Sequence, residues 1–327
     1  MNPSRSRRVS AWRCACATTV ACVLLLLPAA GRARDRETQP TRPASGESRP
    51  IVAFCSIAPQ RYLVESVGGD LVSVHVLVGP GQSPHTFEPT PRQMADLSGA
   101  NVYFAIGLPF ENRILDGVRA LSARLVVVDT AERVPRRQVE ETHAHTEPGV
   151  SHGRDEPGEA AGGGLTDPHV WLNPRFAGLM AQAVCDALKE LAPGRAEVFQ
   201  QNLSALLRDL DELDAELAET LAPLSGESIY VFHPAFGYFT DAYGLTQIPV
   251  EIGGMEPGAR ELVRLIERAT ADEVRVIFVQ PQFSARSARA IAAEIGGAVV
   301  PMDPLSGDYL ENLRSMARAV REALSNG

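Results

Sequence analysis

The sequence predicts an α/β protein of two lobes, each a parallel β-sheet flanked by helices, bridged by one long rigid α-helix. Three observations predict it. Short β-like runs alternate with helical patterns in two separate sets, a single leucine stripe runs between the sets, and 45% hydrophobic content over 327 residues suffices for two cores.

In the first set the strand-like runs are Ile51–Ile57, Leu71–Val78, Asn101–Ile106 and Arg124–Asp129, with helical patterns near 59–68, 90–98, 110–122 and 175–192. The second set has runs Ser228–Phe232, Gln247–Ile252, Val274–Val279 and Ala298–Met302, with helices near 235–243, 257–270, 284–296 and 306–325. Strands that alternate with helices pair in parallel and are covered on both faces, and such sheets receive ligands beyond their carboxyl ends. Between the sets, Phe199, Leu203, Leu206, Leu207, Leu210, Leu213, Leu217 and Leu221 recur mostly at spacings of three and four. They predict an amphipathic helix over 196–222, ended by Pro223 and Gly226, with Arg208, Asp209, Asp211, Glu212, Asp214 and Glu216 on its solvated face.

The expected organisation is a signal peptide over 1–33, a mobile segment over 34–50, a first lobe over 51–195, the linking helix over 196–222 and a second lobe over 223–327. Arg5, Arg7, Arg8 and Arg13 precede an apolar run from Ala15 to Ala30 that ends in small residues, as an export signal does. That run is interrupted by Thr18, Thr19 and Pro28 and falls short of the ~20 residues that a spanning helix needs. No Cys follows it to take a lipid, so a soluble chain in the periplasm is expected.

Removing 1–33 takes away five arginines and no acid, which moves the formal charge from -9 to -14. An acidic surface disfavours nucleic acid and is compatible with attracting cations. Only Cys55 and Cys185 remain, neither in a C-x-x-C arrangement, so thiolate metal sites are not expected.

Four ligand-type residues share one setting: each ends or follows a β-like run and has proline as a neighbour. They are His85 after Pro84, His169 after Pro168, His233 before Pro234 and Asp303 before Pro304. Proline stiffens its own backbone and that of the preceding residue, which suits a preorganised site. His85 and His169 belong to the first lobe and His233 and Asp303 to the second, which places the expected site in the cleft between lobes. Three imidazoles and one carboxylate suit tetrahedral Zn2+, whereas Mn2+ prefers more oxygen and higher coordination. Glu251, Glu256 and Asp308 compete with Asp303 for the fourth position, and His75, in mid-strand, is read as a pleat residue without function. Residues 131–165, rich in Pro, Gly, Glu and Arg, are expected to form a mobile loop whose His143, His145 and His152 are possible auxiliary metal contacts.

The stretches LVGPGQSPHTFEPTPRQMAD (77–96), ANVYFAIGLPFE (100–111), DPHVWLNP (167–174), VFHPAFGYF (231–239), GGMEPGAR (253–260), FVQPQFS (278–284) and MDPL (302–305) together resemble the solute-binding proteins of zinc and manganese ABC transporters, in their zinc-uptake type. The resemblance covers 51–325. It implies metal held between two α/β lobes by residues matching His85, His169, His233 and Asp303. It also implies Zn2+ over Mn2+, because manganese-type members tend to carry a carboxylate where this chain has His233.

A permease and a separate ATPase subunit are the implied partners, and a monomer is expected. The chain cannot supply the ATPase itself, since its only lysine, Lys189, lies in a helical pattern and not in a phosphate-binding loop. Three other functions fit the same residues: a receptor for manganese or another divalent metal, a periplasmic zinc buffer or chaperone without a transport role, and, least of all, a zinc hydrolase. The hydrolase is disfavoured because Asp303 as fourth ligand leaves no open position, and neither H-E-x-x-H nor G-x-S-x-G is present. No enzyme activity is expected.

Overall fold

The first four strands and their helices run β1 (Ile51–Cys55), α1 (Ala58–Gly68), β2 (Val72–Val76), α2 (Pro91–Ser98), β3 (Val102–Ala105), α3 (Pro109–Leu121), β4 (Val126–Asp129) and α4 (Pro174–Leu191). All pairings are parallel, in the order β2-β1-β3-β4. The structure is a computed structural model, and it describes residues 49–121, 124–138, 166–251 and 258–325. The expected signal peptide, residues 34–48, His143, His145, His152 and Glu256 lie outside them.

After α5 (Ala196–Leu221), the second sheet repeats the plan with β5 (Ser228–Val231), α6 (Gly237–Ala242), β6 (Thr246–Pro249), α7 (Ala259–Ala271), β7 (Val276–Val279), α8 (Arg286–Glu294), β8 (Ala298–Pro301) and α9 (Tyr309–Ser325). Its order, β6-β5-β7-β8, is again all parallel. Each sheet therefore reverses direction beside its first strand, which opens a crevice at the carboxyl ends of β1 and β3 and of β5 and β7. In the first sheet this crevice is filled. The buried Glu111 carboxylate accepts the backbone N–H groups of Ile106 (3.0 Å), Gly107 (2.7 Å) and Leu108 (3.1 Å) and the hydroxyl of Ser56. Ligands from this lobe must then come from the loops above the strands.

Local signals set the helix ends. At α2, Thr90 accepts from the Gln93 backbone N–H while Gln93 accepts from that of Thr90, a reciprocal cap, and Pro91 occupies the first turn. At α4, Asn173 caps the Arg175 N–H and Pro174 opens the helix.

α5 is 26 residues long, about 39 Å at 1.5 Å per residue. It packs on α1 and α4 of the first lobe and on α9 of the second, burying Phe199, Leu203, Leu206, Leu210, Leu213, Leu217 and Leu221. Its leucine stripe thus serves both lobes. One core cluster runs from the first sheet through α5 to Ile229 and Val231 of β5, whereas Tyr230 and Phe232 point into a separate cluster with Leu265, Ile277 and Ile291. That alternation is the two-residue period of a strand buried on both faces.

Residues 131–138, part of the expected mobile loop, are tied down. Ala131 and Val134 are buried, and Gln138 bridges Thr166 in antiparallel sense. Cys55 and Cys185 are both buried free thiols.

Leu213 is fully buried at the middle of α5 and Glu212 is exposed beside it. Leu213→Ala is expected to destabilise the fold by about 2–5 kcal/mol in urea unfolding, and Glu212→Ala by no more than about 0.5 kcal/mol.

Candidate metal centre

Three of the four expected ligands converge. The ring centroids of His85 and His233 are 4.6 Å apart, those of His169 and His233 5.3 Å, and those of His85 and His169 5.7 Å. One nitrogen from each ring lies within 4.8 Å of the others, the one such group of His, Cys, Asp or Glu found among the described residues. A tetrahedral ion with bonds of about 2.0–2.1 Å needs donors about 3.3 Å apart, so a small inward movement completes the set.

His85 sits in the connection between β2 and α2. Its N–H meets the Ser83 hydroxyl at 3.3 Å, and the turn is closed by Thr86 N–H on Ser83 O at 3.2 Å. Both ends of this connection are anchored: Gln93 Nε2 donates to Leu77 O (2.9 Å), and Phe87 is buried against Phe110.

His169 opens a buried 3-10 turn, Val170–Leu172, that leads into the cap of α4. The Oδ1 of Asp167, two residues earlier, accepts both the His169 backbone N–H (2.9 Å) and Nδ1 (2.7 Å). Asp167 Oδ2 meets Arg137 Nη1 at 3.2 Å.

His233 follows β5 at the carboxyl end of the second sheet. The Gln280 amide, just past β7, brackets its backbone, accepting from the N–H at 3.1 Å and donating to the carbonyl at 2.7 Å. Glu251, at the end of β6, accepts from Nδ1 at 2.5 Å, and Phe283 stacks on the ring at 4.8 Å.

A carboxylate only accepts, so the Nδ1 of both His169 and His233 carries the proton and each Nε2 presents a lone pair. The Nε2 of His233 is buried without a hydrogen-bond partner, an arrangement that costs free energy unless a ligand occupies it. Burial, then the nearby His169 and His233, push His85 down to about 3. Burial also lowers His233, although the Glu251 hydrogen bond opposes it. Burial raises Asp167, but contact with His169 and the Arg137 charge outweigh it and hold the carboxyl below its ordinary value. Three imidazoles, two of them hydrogen-bonded to buried carboxylates, make a site for a borderline divalent cation.

Asp303 does not join the three histidines. Its Oδ1 accepts from Gln282 Nε2 (2.8 Å) and from Leu305 N–H (2.9 Å), and it lines a separate cavity with Arg61 and His75. An Asp before proline is also a turn-capping sequence, and here capping takes the carboxylate. The adjoining Pro304 carbonyl instead accepts the Trp171 indole N–H at 2.7 Å, two residues from His169. His75 is exposed and stacks on its cross-strand neighbour Phe54, away from the site.

Sequence reasoning missed the two carboxylates that orient the rings. Asp167 was legible as an acid two residues before a His-containing turn. Glu251 was considered only as a rival ligand, because its place beside His233 depends on β5 pairing with β6.

A family profile described as "Zinc-uptake complex component A periplasmic" (ZnuA) matches residues 53–323. The chain belongs to the ZnuA family. A crystal structure of ZnuA superposes with a TM-score of 0.75 at 37% identity, covering 84% of this chain and 99% of that one. A zinc-bound ZnuA deletion mutant gives 0.73 at 38%, covering 84% and 98%. The zinc-binding protein AdcA of Streptococcus pyogenes is 26% identical over 268 residues, 81% of this chain and 52% of AdcA. The chain thus spans about half the length of that relative. A putative metal-binding protein of Chlamydia muridarum is 26% identical over 266 residues, 81% of this chain and 88% of the relative. These matches bear out the two-lobe α/β fold and the zinc-uptake ancestry of this ZnuA-family chain.

Because His85 titrates near 3 in the fold and near 6.5 in an ordinary setting, the unfolded chain takes its proton first as pH falls. The metal-free protein is expected to hold this contribution above about pH 6.5 and lose it progressively towards about pH 3. Thermal midpoints between about pH 7.5 and about pH 5 are expected to fall more steeply in the wild type than in His85→Ala, and parallel profiles would contradict the assignment.

Proposed function

We propose that this chain is a high-affinity Zn2+ receptor that captures the ion at His85, His169 and His233 and delivers it to an ABC importer. The observation that carries the reading is the meeting of three imidazoles, two of them backed by buried carboxylates, at the carboxyl ends of the strands. Family membership and the zinc named in the relatives' descriptions support the same reading. The cargo is zinc, not manganese, because three nitrogen donors favour the borderline ion over one that prefers oxygen. With Asp303 engaged elsewhere, the fourth position is left to water.

Capture is reversible binding and not catalysis. Asp167 and Glu251 are committed to ring nitrogens, so neither is available as the base that a zinc hydrolase would need. The ion passes to a membrane permease driven by a separate ATPase subunit. The chain acts as a monomer in the periplasm after its export signal is removed; no described helix is long and apolar enough to cross a membrane.

Competition titration of the purified protein is expected to find one tight Zn2+ site, weakened by more than about 100-fold in His85→Ala. His233→Glu is expected to shift relative affinity from Zn2+ towards Mn2+. Deleting the gene is expected to impair growth specifically when zinc is limiting. Equal affinities in wild type and His85→Ala would overturn the site, and normal growth without zinc would overturn the transport role.

A further inference from the structure

Arg137 lies in neither lobe's sheet and is not among the three histidines, yet its contacts converge on Asp167. Its guanidinium Nη1 meets Asp167 Oδ2 at 3.2 Å, and its backbone carbonyl accepts the Asp167 N–H at 2.9 Å. The Asp167 side chain is 1% exposed, so without the guanidinium one of its oxygens would be left charged and unpaired in the interior. On its other side the same guanidinium reaches the second lobe, where Nε meets Asp241 of α6 at 3.1 Å. Tyr238, also on α6, completes the tie by accepting the Arg137 N–H (3.0 Å) and donating to the Asp167 carbonyl (3.2 Å).

Gly237 shows how closely the guanidinium is seated. A Cβ built there would lie 1.2 Å from Arg137 Nη1. The backbone at Gly237 has no positive φ, so space for the guanidinium, and not conformational freedom, is what the glycine provides. Any larger residue would chiefly push the flexible arginine tip out of place and would also crowd the Gln247 amide, 2.9 Å from that Cβ.

We infer that Arg137 is a positioning residue of the metal centre: it locks Asp167, and through it the His169 ring, to the lobe that carries His233. Two ligands from different lobes are thereby held in register before an ion arrives, at the point where the α6 segment and the Asp167–His169 turn touch. The inference rests on the three-histidine reading and adds a residue that contacts no metal.

The test compares wild type, Arg137→Ala, Gly237→Ala, the double variant and Arg137→Lys, using zinc competition titration and the visible absorption of the Co2+-loaded proteins, which reports coordination geometry. Arg137→Ala and Gly237→Ala are each expected to weaken Zn2+ binding by about 10-fold and to alter the Co2+ bands. The double variant is expected to be little weaker than Arg137→Ala, because both changes act mainly through one guanidinium and the crowded Gln247 amide is the end of a flexible side chain. Arg137→Lys, which keeps a cation beside Asp167, is expected to recover most of the affinity and the spectrum. Wild-type binding and spectrum in Arg137→Ala, full additivity in the double variant, or no recovery in Arg137→Lys would each overturn the inference. Indifference of zinc binding to His85→Ala would instead overturn the metal-centre reading, so the two failures are distinguishable.

Discussion

The structure depends on a buried carboxylate holding the Nδ1 proton of a histidine, once in each lobe. Asp167 fixes His169 and Glu251 fixes His233, at 2.7 and 2.5 Å. Each bond settles a tautomer, freezes a ring and aims the remaining nitrogen inward. A free imidazole interconverts its tautomers and rotates about two bonds, so three such rings would rarely present their lone pairs to one point. The protein meets the ordering cost during folding, which leaves affinity to be set by the ion. His85, without such a carboxylate, is kept neutral by burial and by its two neighbours.

The remaining architecture keeps those two bonds in register. α5 carries the leucine stripe that both lobes share, and the Trp171 indole, the Pro304 carbonyl and Tyr309 join the His169 turn to the second lobe. The first sheet's crevice is plugged by Glu111, whereas in the second His233 follows β5 directly, with Gln280 bracketing the backbone. The same topology is thus used asymmetrically: two of the converging histidines hang from loops of one lobe and the third stands at a strand end of the other.

Much of this was legible in residue order. Strand and helix periodicity located the two sheets and α5, because each element buries a continuous face and its pattern survives in the sequence. Proline beside His85, His169 and His233 marked stiff backbone, and the three rings converge, although only His233 stands at a strand end while His85 and His169 lie in connections. The same mark failed at Asp303, since an Asp-Pro pair reads alike whether the carboxylate faces a cleft or caps its own turn, and only the neighbouring Gln282 and Leu305 decide between them. Glu251 was hidden for a different reason. Its partnership with His233 joins adjacent strands eighteen residues apart in sequence, a relation that depends on strand order and not on local pattern.

We propose that three histidines, and not Asp303, are the protein's own metal ligands. X-ray absorption at the zinc edge of the loaded wild type and of Asp303→Ala tests it most directly. Three imidazoles in both proteins, with a light oxygen donor that survives the substitution, is the result this account predicts. Fewer than three imidazoles in the wild type, or loss of an oxygen donor in Asp303→Ala, would contradict it.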